Sequence, residues 1–146
     1  MESSDIASPR QFPQALRAVR ARRGLLQKSV ALDLGIDAAV LCATEKGARG
    51  PLSDDRLALL AARLALTPEE HQALLWAARH DRVISQLEAS GGSRQELLLV
   101  SKAMTAWNHM EGAQREGWLN QVIRLADSAV MLHAAVVPNA MEAAMS

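Results

Sequence analysis

Aromatic residues are scarce in this 146-residue chain, which has no tyrosine, one phenylalanine and three tryptophans. Val, Ile and Thr are also few beside Ala and Leu, although about half of all residues are apolar. Sheets draw on the β-branched and aromatic types that are short here, whereas Ala and Leu suit helices, so an all-α protein is expected. The single cysteine, Cys42, excludes an intramolecular disulfide. There is no run of 18 uncharged apolar residues, which leaves no candidate membrane span. The opening MESSDIASPR is acidic and polar and lacks the pattern of a secretory leader. With one cysteine and no leader, the expected location is the cytoplasm.

Net charge is missing too, at a formal value of zero, but its distribution is uneven. From Arg10 to Leu66 there are ten Arg and Lys against five Asp and Glu, while from Thr67 to Ser146 there are six against nine. A basic half is what phosphate binding requires. At this length the chain suits one compact domain or a small domain with an accessory helical one.

The most organised stretch is LLQKSVALDLGIDAAVLCATEKG, from Leu25 to Gly47. Val30, Leu34, Leu41 and Thr44 recur at helical spacing on either side of Gly35, predicting two short helices joined by a tight turn. Ala31 is small where one helix must cross closely over the other. Gly35 can adopt a positive φ and stop the first helix, and Asp37, after Ile36, can cap the second by accepting from its free N–H groups.

Here the chain resembles the phage-repressor and Cro type of helix-turn-helix regulator, the XRE-like family, over about Phe12 to Ala77. The likeness rests on an opening helix ALRAVRARRG, then LQKSVALDLG, then IDAAVLCATEKGARGPLSDDRLALLAARLALTPEE, which keeps the family's order of helix, turn, recognition helix, E-x-G, Pro and closing helices. It implies a five-helix domain that binds double-stranded DNA, with the second helix of the motif in the major groove. By correspondence with the family, Gln27 begins the bracing helix and can meet a phosphate, with Lys28 beside it as a second candidate. The groove-facing positions are Asp37, Ala38, Ala39, Cys42, Ala43 and Lys46, and Lys46 and Arg49 lie where relatives contact the flanking backbone. Arg20 and Glu45 match a pair that in relatives bridges the opening helix to the end of the recognition helix.

The chain departs from the family pattern at several positions. Relatives often carry Gln, Ser, Asn or Arg where Ala38, Ala39 and Ala43 stand here; alanine can touch a thymine methyl but makes no bidentate bond to a base edge. Specificity then rests on methyl contacts, on arginine and on DNA shape. Leu26 replaces a Ser or Thr cap, and Thr44 a larger apolar residue.

Along the rest of the chain, residues 1–11 have too few apolar groups to pack and are expected to form an arm. Pro13 suits a first helical turn and steers Phe12 away from helical geometry, so the first helix is placed at about Pro13 to Arg23. Ser53 caps the next predicted helix after the motif, and Thr67-Pro68-Glu69-Glu70 has the form of a cap, a first-turn proline and a reciprocal glutamate. The polar run Arg79–Arg82 either ends that helix or lies within a continuous one. Gly91-Gly92 inside Ser90–Ser93 is the clearest punctuation, so residues 12–89 are read as the helix-turn-helix domain, 90–93 as a linker, 94–136 as a helical hairpin and 137–146 as a tail. Leu97, Val100, Met104 and Trp107, then Trp118, Val122, Leu125, Ala129 and Leu132, step by three and four, making stripes that need the first domain or a second copy to cover them.

Other tempting residues read more plainly. Cys42 is a small packing residue unless a cationic neighbour activates it for redox sensing. His71, His80, His109 and His133 lack metal-ligand spacing and are expected at the surface, so no metal or cofactor is expected. Trp107 and Trp118 with Met104 and Met110 suit packing, though the same helices could take a small-molecule or protein effector. No nucleophile with a base, phosphate-cradling loop or carboxylate pair suggests an enzyme. The expected protein is a homodimeric DNA-binding regulator; the rival from another class is an interaction module, an antitoxin or anti-regulator, whose helix-turn-helix reads DNA weakly or not at all.

Overall fold

The computed structural model describes residues 9–136, so residues 1–8 of the expected arm and the expected tail, 137–146, lie outside the described residues. Among the described residues there are seven α-helices and no strand: α1 Phe12–Arg22, α2 Gln27–Leu34, α3 Ala38–Glu45, α4 Asp54–Arg63, α5 Pro68–Ala89, α6 Arg94–His109 and α7 Gly112–Val136. None of these helices is long and apolar enough to cross a membrane. They fall into two compact units, the first ending at Met104 and the second beginning at Thr105.

In the first unit, α1 lies against α5 and α3, α2 against α3 and α4, and α4 against α5. Its core is aliphatic apart from one ring: Phe12, Leu16 and Val19 of α1 meet Val30 and Leu34 of α2, Leu41 of α3, Leu57 and Leu60 of α4 and Leu74 of α5. These residues recur every three or four positions, so each helix turns one stripe inward.

The helix starts are set by different devices. Ser53 Oγ accepts from Arg56 N at 3.2 Å to start α4. At α5, Thr67 Oγ1 accepts from Glu70 N at 3.1 Å while Glu70 Oε1 accepts from Thr67 N at 3.0 Å, a reciprocal box. Helix α1 begins at Phe12, one residue before the expected start, with no cap from Gln11's own side chain. Its cap comes from α5, where Asp81 accepts from Gln11 N and Phe12 N, each at 2.9 Å. A carboxylate supplied from outside lets the helix begin before the proline.

Glu70 also receives Arg23 at 2.7 Å and Arg22 at 3.0 Å. Arg23 and the Thr67 amide, with a lesser share from Arg22, hold its carboxyl down to about 2 against the opposing effect of burial. A depressed carboxyl stabilises the fold above its unfolded value near 4.5 and loses that contribution as pH falls through about 2. Glu70→Gln is therefore expected to unfold at a lower temperature than the parent chain at pH 6, with the gap closing as melts are repeated down to about pH 2. A gap unchanged by acid would contradict the assignment.

Helix α5 runs unbroken for 22 residues through Arg79–Arg82. The glycine pair after it is a turn inside the first unit. A Cβ on Gly92 would stand 2.7 Å from Leu87 Cγ and 2.9 Å from the Leu87 carbonyl oxygen, so no larger residue fits there. Ser93 and Glu96 then cap α6 reciprocally, at 2.7 and 3.1 Å. Leu97 and Ser101 follow as buried residues of the first unit. The division between the compact units lies at Met104–Thr105, with the buried first part of α6 in the same unit as α5 and the expected linker at 90–93 inside it.

The second unit holds the last residues of α6 and all of α7. Within it the Trp107 and Trp118 rings lie 6.4 Å apart, and Arg115 sits over Trp107 at 5.2 Å while donating from Nε to the Trp107 carbonyl at 3.0 Å. None of the 25 residues of α7 is buried.

Candidate nucleic-acid interface

The corner between α2 and α3 turns on Gly35, whose φ of +65° ends α2 in the left-handed region. Ile36 N donates to the Ala31 carbonyl at 3.0 Å, which closes the last turn of α2. Ala31 and Leu41 are both buried at the crossing. Asp37 occupies the cap position of α3 with extended geometry, but its side chain makes no cap bond, contrary to the role expected of it. The first α3 bonds come instead from the backbone, with Val40 N donating to the Asp37 carbonyl at 3.0 Å.

Within α3, Leu41, Thr44 and Glu45 are buried. Thr44 is accommodated because its Oγ1 donates to the Val40 carbonyl at 2.9 Å, leaving no unsatisfied hydroxyl in the core. Ala38 is half-buried and packs against the core. Ala39 and Lys46 are exposed, Asp37 is exposed, and Cys42 and Ala43 are half-buried. The outward face of α3 is therefore narrow, two alanine methyls and a thiol ending in a cation.

Glu45 anchors the inner face. Arg20 donates to it as a fork, Nε to Oε2 at 2.8 Å and Nη2 to Oε1 at 2.9 Å, and Arg20 Nη1 reaches the Leu25 carbonyl at 2.8 Å. Arg17 Nη1 donates to the Glu45 carbonyl oxygen at 2.6 Å. Burial alone would raise the Glu45 carboxyl, but bonds from Arg20 and Gln27 and the charges of Arg20 and Arg17 outweigh it and hold the group below the ordinary carboxylate range. The same pairing, against burial, raises the Arg20 guanidinium.

Gln27 Nε2 donates to Glu45 Oε1 at 2.9 Å, so the amide expected at a phosphate is engaged inside the unit. Its neighbour Lys28 is exposed. The arginines around this motif divide in the same way. Arg56 Nη1 donates to the Leu34 carbonyl at 3.0 Å and so caps the end of α2, while Arg82 Nη2 donates to the Leu52 carbonyl at 2.8 Å. Arg23 Nε holds the Leu64 carbonyl at 2.9 Å beside Ala65, a residue with φ of +51°. By contrast, among the described residues no ion pair or side-chain hydrogen bond engages Lys28, Lys46 or Arg49, all three exposed. Arg49 borders a cleft of about 450 Å³ whose walls include Gly35, Asp37, Thr44 and Arg56.

The remaining expected positions are scattered. Leu97, of the stripe expected to pack in the core or between copies, is buried in the first unit; Val100 and Met104 are half-buried there. In the second unit Trp118 is half-buried, and Trp107, Val122, Leu125 and Leu132 are exposed, the two leucines most.

One constellation is not legible in the residue spacing. His80, expected at the surface, is completely buried, with Nδ1 2.8 Å from Asp81 Oδ1 and Nε2 2.8 Å from Ser101 Oγ. Ser, His and Asp in that order have the connectivity of a nucleophile relay. Their exposures of 5%, 0% and 2% leave the hydroxyl out of reach of a dissolved substrate. Asp81 is also the remote cap of α1, so the chain of bonds ties α6, α5 and α1 together. A partial signal exists: Asp81 falls on the same three-and-four step as Leu74, Ala78 and Ile84, the stripe that turns inward.

No family model, curated protein or solved structure matches this chain.

Proposed function

We propose that this chain is a DNA-binding transcriptional regulator of the phage-repressor and Cro type, with α2 and α3 as its helix-turn-helix and two copies placing α3 in successive major grooves about 34 Å apart. The observation that carries the reading is the division of the cations around α2 and α3: Arg17, Arg20 and Arg56 are engaged inside the unit, while Lys28 of α2, Lys46 at the end of α3 and Arg49 in the loop after it are exposed. Exposed cations beside a helix slim enough for a groove meet the two needs of DNA binding, phosphate neutralisation and access to base edges. Ala39, Ala43 and Cys42 offer methyl and thiol contact to thymine, and specificity comes from these contacts and from duplex shape.

Retention of duplex DNA at low salt tests this reading. Replacing Lys28, Lys46 and Arg49 together with alanine is expected to weaken binding at least about tenfold and to flatten the salt dependence by about 0.9 in log–log slope for each phosphate that is no longer neutralised. Selection from random duplexes is expected to return a palindrome. Binding untouched by the triple substitution in a normally folded variant overturns the reading.

A second reading, a protein-interaction module that reads DNA weakly or not at all, draws on Leu26 and Leu32, which leave 71% and 81% of their surface exposed on α2 and at its start. It is favoured if duplex DNA is not retained even at low salt while Leu32→Ser abolishes binding to a defined protein partner.

A further inference from the structure

We infer that the DNA-binding surface extends past the helix-turn-helix onto α5, where Arg79 takes a phosphate of the duplex backbone near the one that Arg49 meets. The inference rests on the DNA-binding reading above and adds to it a contact from a helix outside the motif.

The loop after α3 relates the two arginines. Gly50 and Pro51 form a wall shared by two clefts. On one side is the cleft of about 450 Å³ bordered by Arg49 and by Gly35 and Asp37 at the corner between α2 and α3. On the other is a cleft of about 570 Å³ bordered by Arg79, Arg82, Ser85 and Gln86 of α5. A surface that begins at the corner of the motif therefore runs across a short loop to α5, all of it within the first unit. Arg79, Arg82, Val83 and Gln86 lie three, four and seven positions apart and so share one face of α5, distinct from the buried stripe of Leu74, Ala78, Asp81 and Ile84.

The arginines of that face have different tasks. Arg82 is spent on the fold: Nη2 holds the Leu52 carbonyl at 2.8 Å and Nη1 holds Asp54 at 3.2 Å, which ties the loop and the start of α4 to α5. Arg79 is exposed, and among the described residues no ion pair or side-chain hydrogen bond engages it. The residues bordering its cleft include no carboxylate, and the exposed Ser85 and Gln86 add a hydroxyl and an amide that can donate to phosphate oxygens. Asp54 and Asp55 border a third cleft beyond Pro51, with Asp54 paired to Arg82. The occupant follows from the charge pattern. A small anion fills one cleft and reaches one free arginine, whereas free arginines on opposite sides of a loop are matched by an anion that repeats, and each DNA strand carries a phosphate about every 3.4 Å along the axis. Guanidinium is the side chain whose fork fits a phosphate.

The test is binding of the full chain to a defined duplex as salt is raised. Arg79→Gln is expected to weaken binding at least about fivefold at 50 mM salt and to lower the log–log slope by about 0.9, so that the parent's advantage shrinks about threefold by 200 mM. Sequence preference and melting temperature are expected to stay those of the parent, because a phosphate contact reads no base and Arg79 makes no bond inside the unit. Arg63→Gln removes an equally exposed cation at the far end of α4, about 13 Å of helix from Asp54, and is expected to leave the slope unchanged. Replacing single phosphates in turn by neutral methylphosphonates is expected to find a position that weakens the parent chain and leaves Arg79→Gln unaffected. Affinity and slope unmoved in Arg79→Gln, while the triple substitution of Lys28, Lys46 and Arg49 weakens binding, overturn this inference and leave the reading above standing. An equal loss of slope in Arg63→Gln shows a response to net charge alone and overturns it too. A parent chain that retains no duplex even at low salt overturns the reading above, and this contact with it.

Discussion

Replacing Arg20 with methionine is expected to cost about 3–5 kcal/mol of folding stability, the range for removing one member of a buried pair. Methionine keeps most of the aliphatic stem of Arg20, so the loss reports the charge. What remains is the Glu45 carboxylate, 1% exposed, with Gln27 as its side-chain donor and Arg17 reaching only the Glu45 backbone carbonyl. Glu45→Gln is expected to cost less, about 1–3 kcal/mol, because Arg20 is 22% exposed, can turn toward water and keeps its bond to the Leu25 carbonyl. The asymmetry is the point of the experiment. Urea unfolding of the two variants at pH 7 measures it, and equal costs, or a cost below about 1 kcal/mol for Arg20→Met, would show that solvent screens the pair.

Acid should reverse part of this difference. In the parent chain the Glu45 carboxyl is held below its ordinary range, so its contribution is present above the unfolded value near 4.5 and is lost as pH falls through the lower folded value. Without Arg20, burial is the strongest influence left on Glu45 and pushes its protonation to higher pH. The variant then becomes neutral at this position before the parent chain does, and the stability gap narrows as pH drops below about 4.5. Because Glu45 ends α3, the same variant tests whether fixing that helix matters for the proposed DNA binding.

Removing the remote cap is expected to be as costly. Asp81→Ala takes away the acceptor for Gln11 N, for Phe12 N and for His80, all on a side chain that is 2% exposed. Each buried donor left without a partner costs about 1–3 kcal/mol, so a loss of about 3–5 kcal/mol is expected after partial relaxation. For a chain of this size that is a drop of roughly 10–15 °C in melting temperature. Asp81→Asn keeps one acceptor oxygen and should lose about half as much, and Ser101→Ala, which removes a single hydroxyl from the far end, about 1 kcal/mol. Thermal melts of the three in parallel check the order. Should Asp81→Ala melt within a few degrees of the parent chain, the tie between α5 and the start of α1 is not what holds that corner.

The devices that could be read from the residues are those acting over four positions or fewer. Thr67 with Glu70 and Ser53 with Arg56 are spaced one helical turn apart, Gly35 answers a local need for positive φ, and the α7 stripe is a period along a single helix. Such features depend on the chain's immediate neighbours, and composition alone excluded a sheet. Asp37 stood at the cap position of α3 as its place in the sequence required, yet its carboxylate makes no bond there. Position is local, but the direction of a side chain is decided by what surrounds it.

What tertiary structure decided has a longer reach. The amide of Gln27 could have met a phosphate or Glu45, eighteen residues away, and only the packing of α2 on α3 turned it inward. Ala38 is as small as Ala39 and carries no mark of which one faces the core. His80 and Asp81 sat in a polar run that suggested a surface or a break, and were buried because the start of α1, 69 residues earlier, and Ser101, 21 residues later, supplied their hydrogen bonds. The glycine pair at 91–92 marked a turn, while the division between units fell at Met104, because a turn is written in backbone freedom and a domain edge in where burial ceases. Amino-acid order thus determined the helices and the caps made within a single turn; which polar groups became partners inside, the cap of α1 among them, and which cations were left to face outward, followed from chain segments far apart in sequence coming into contact.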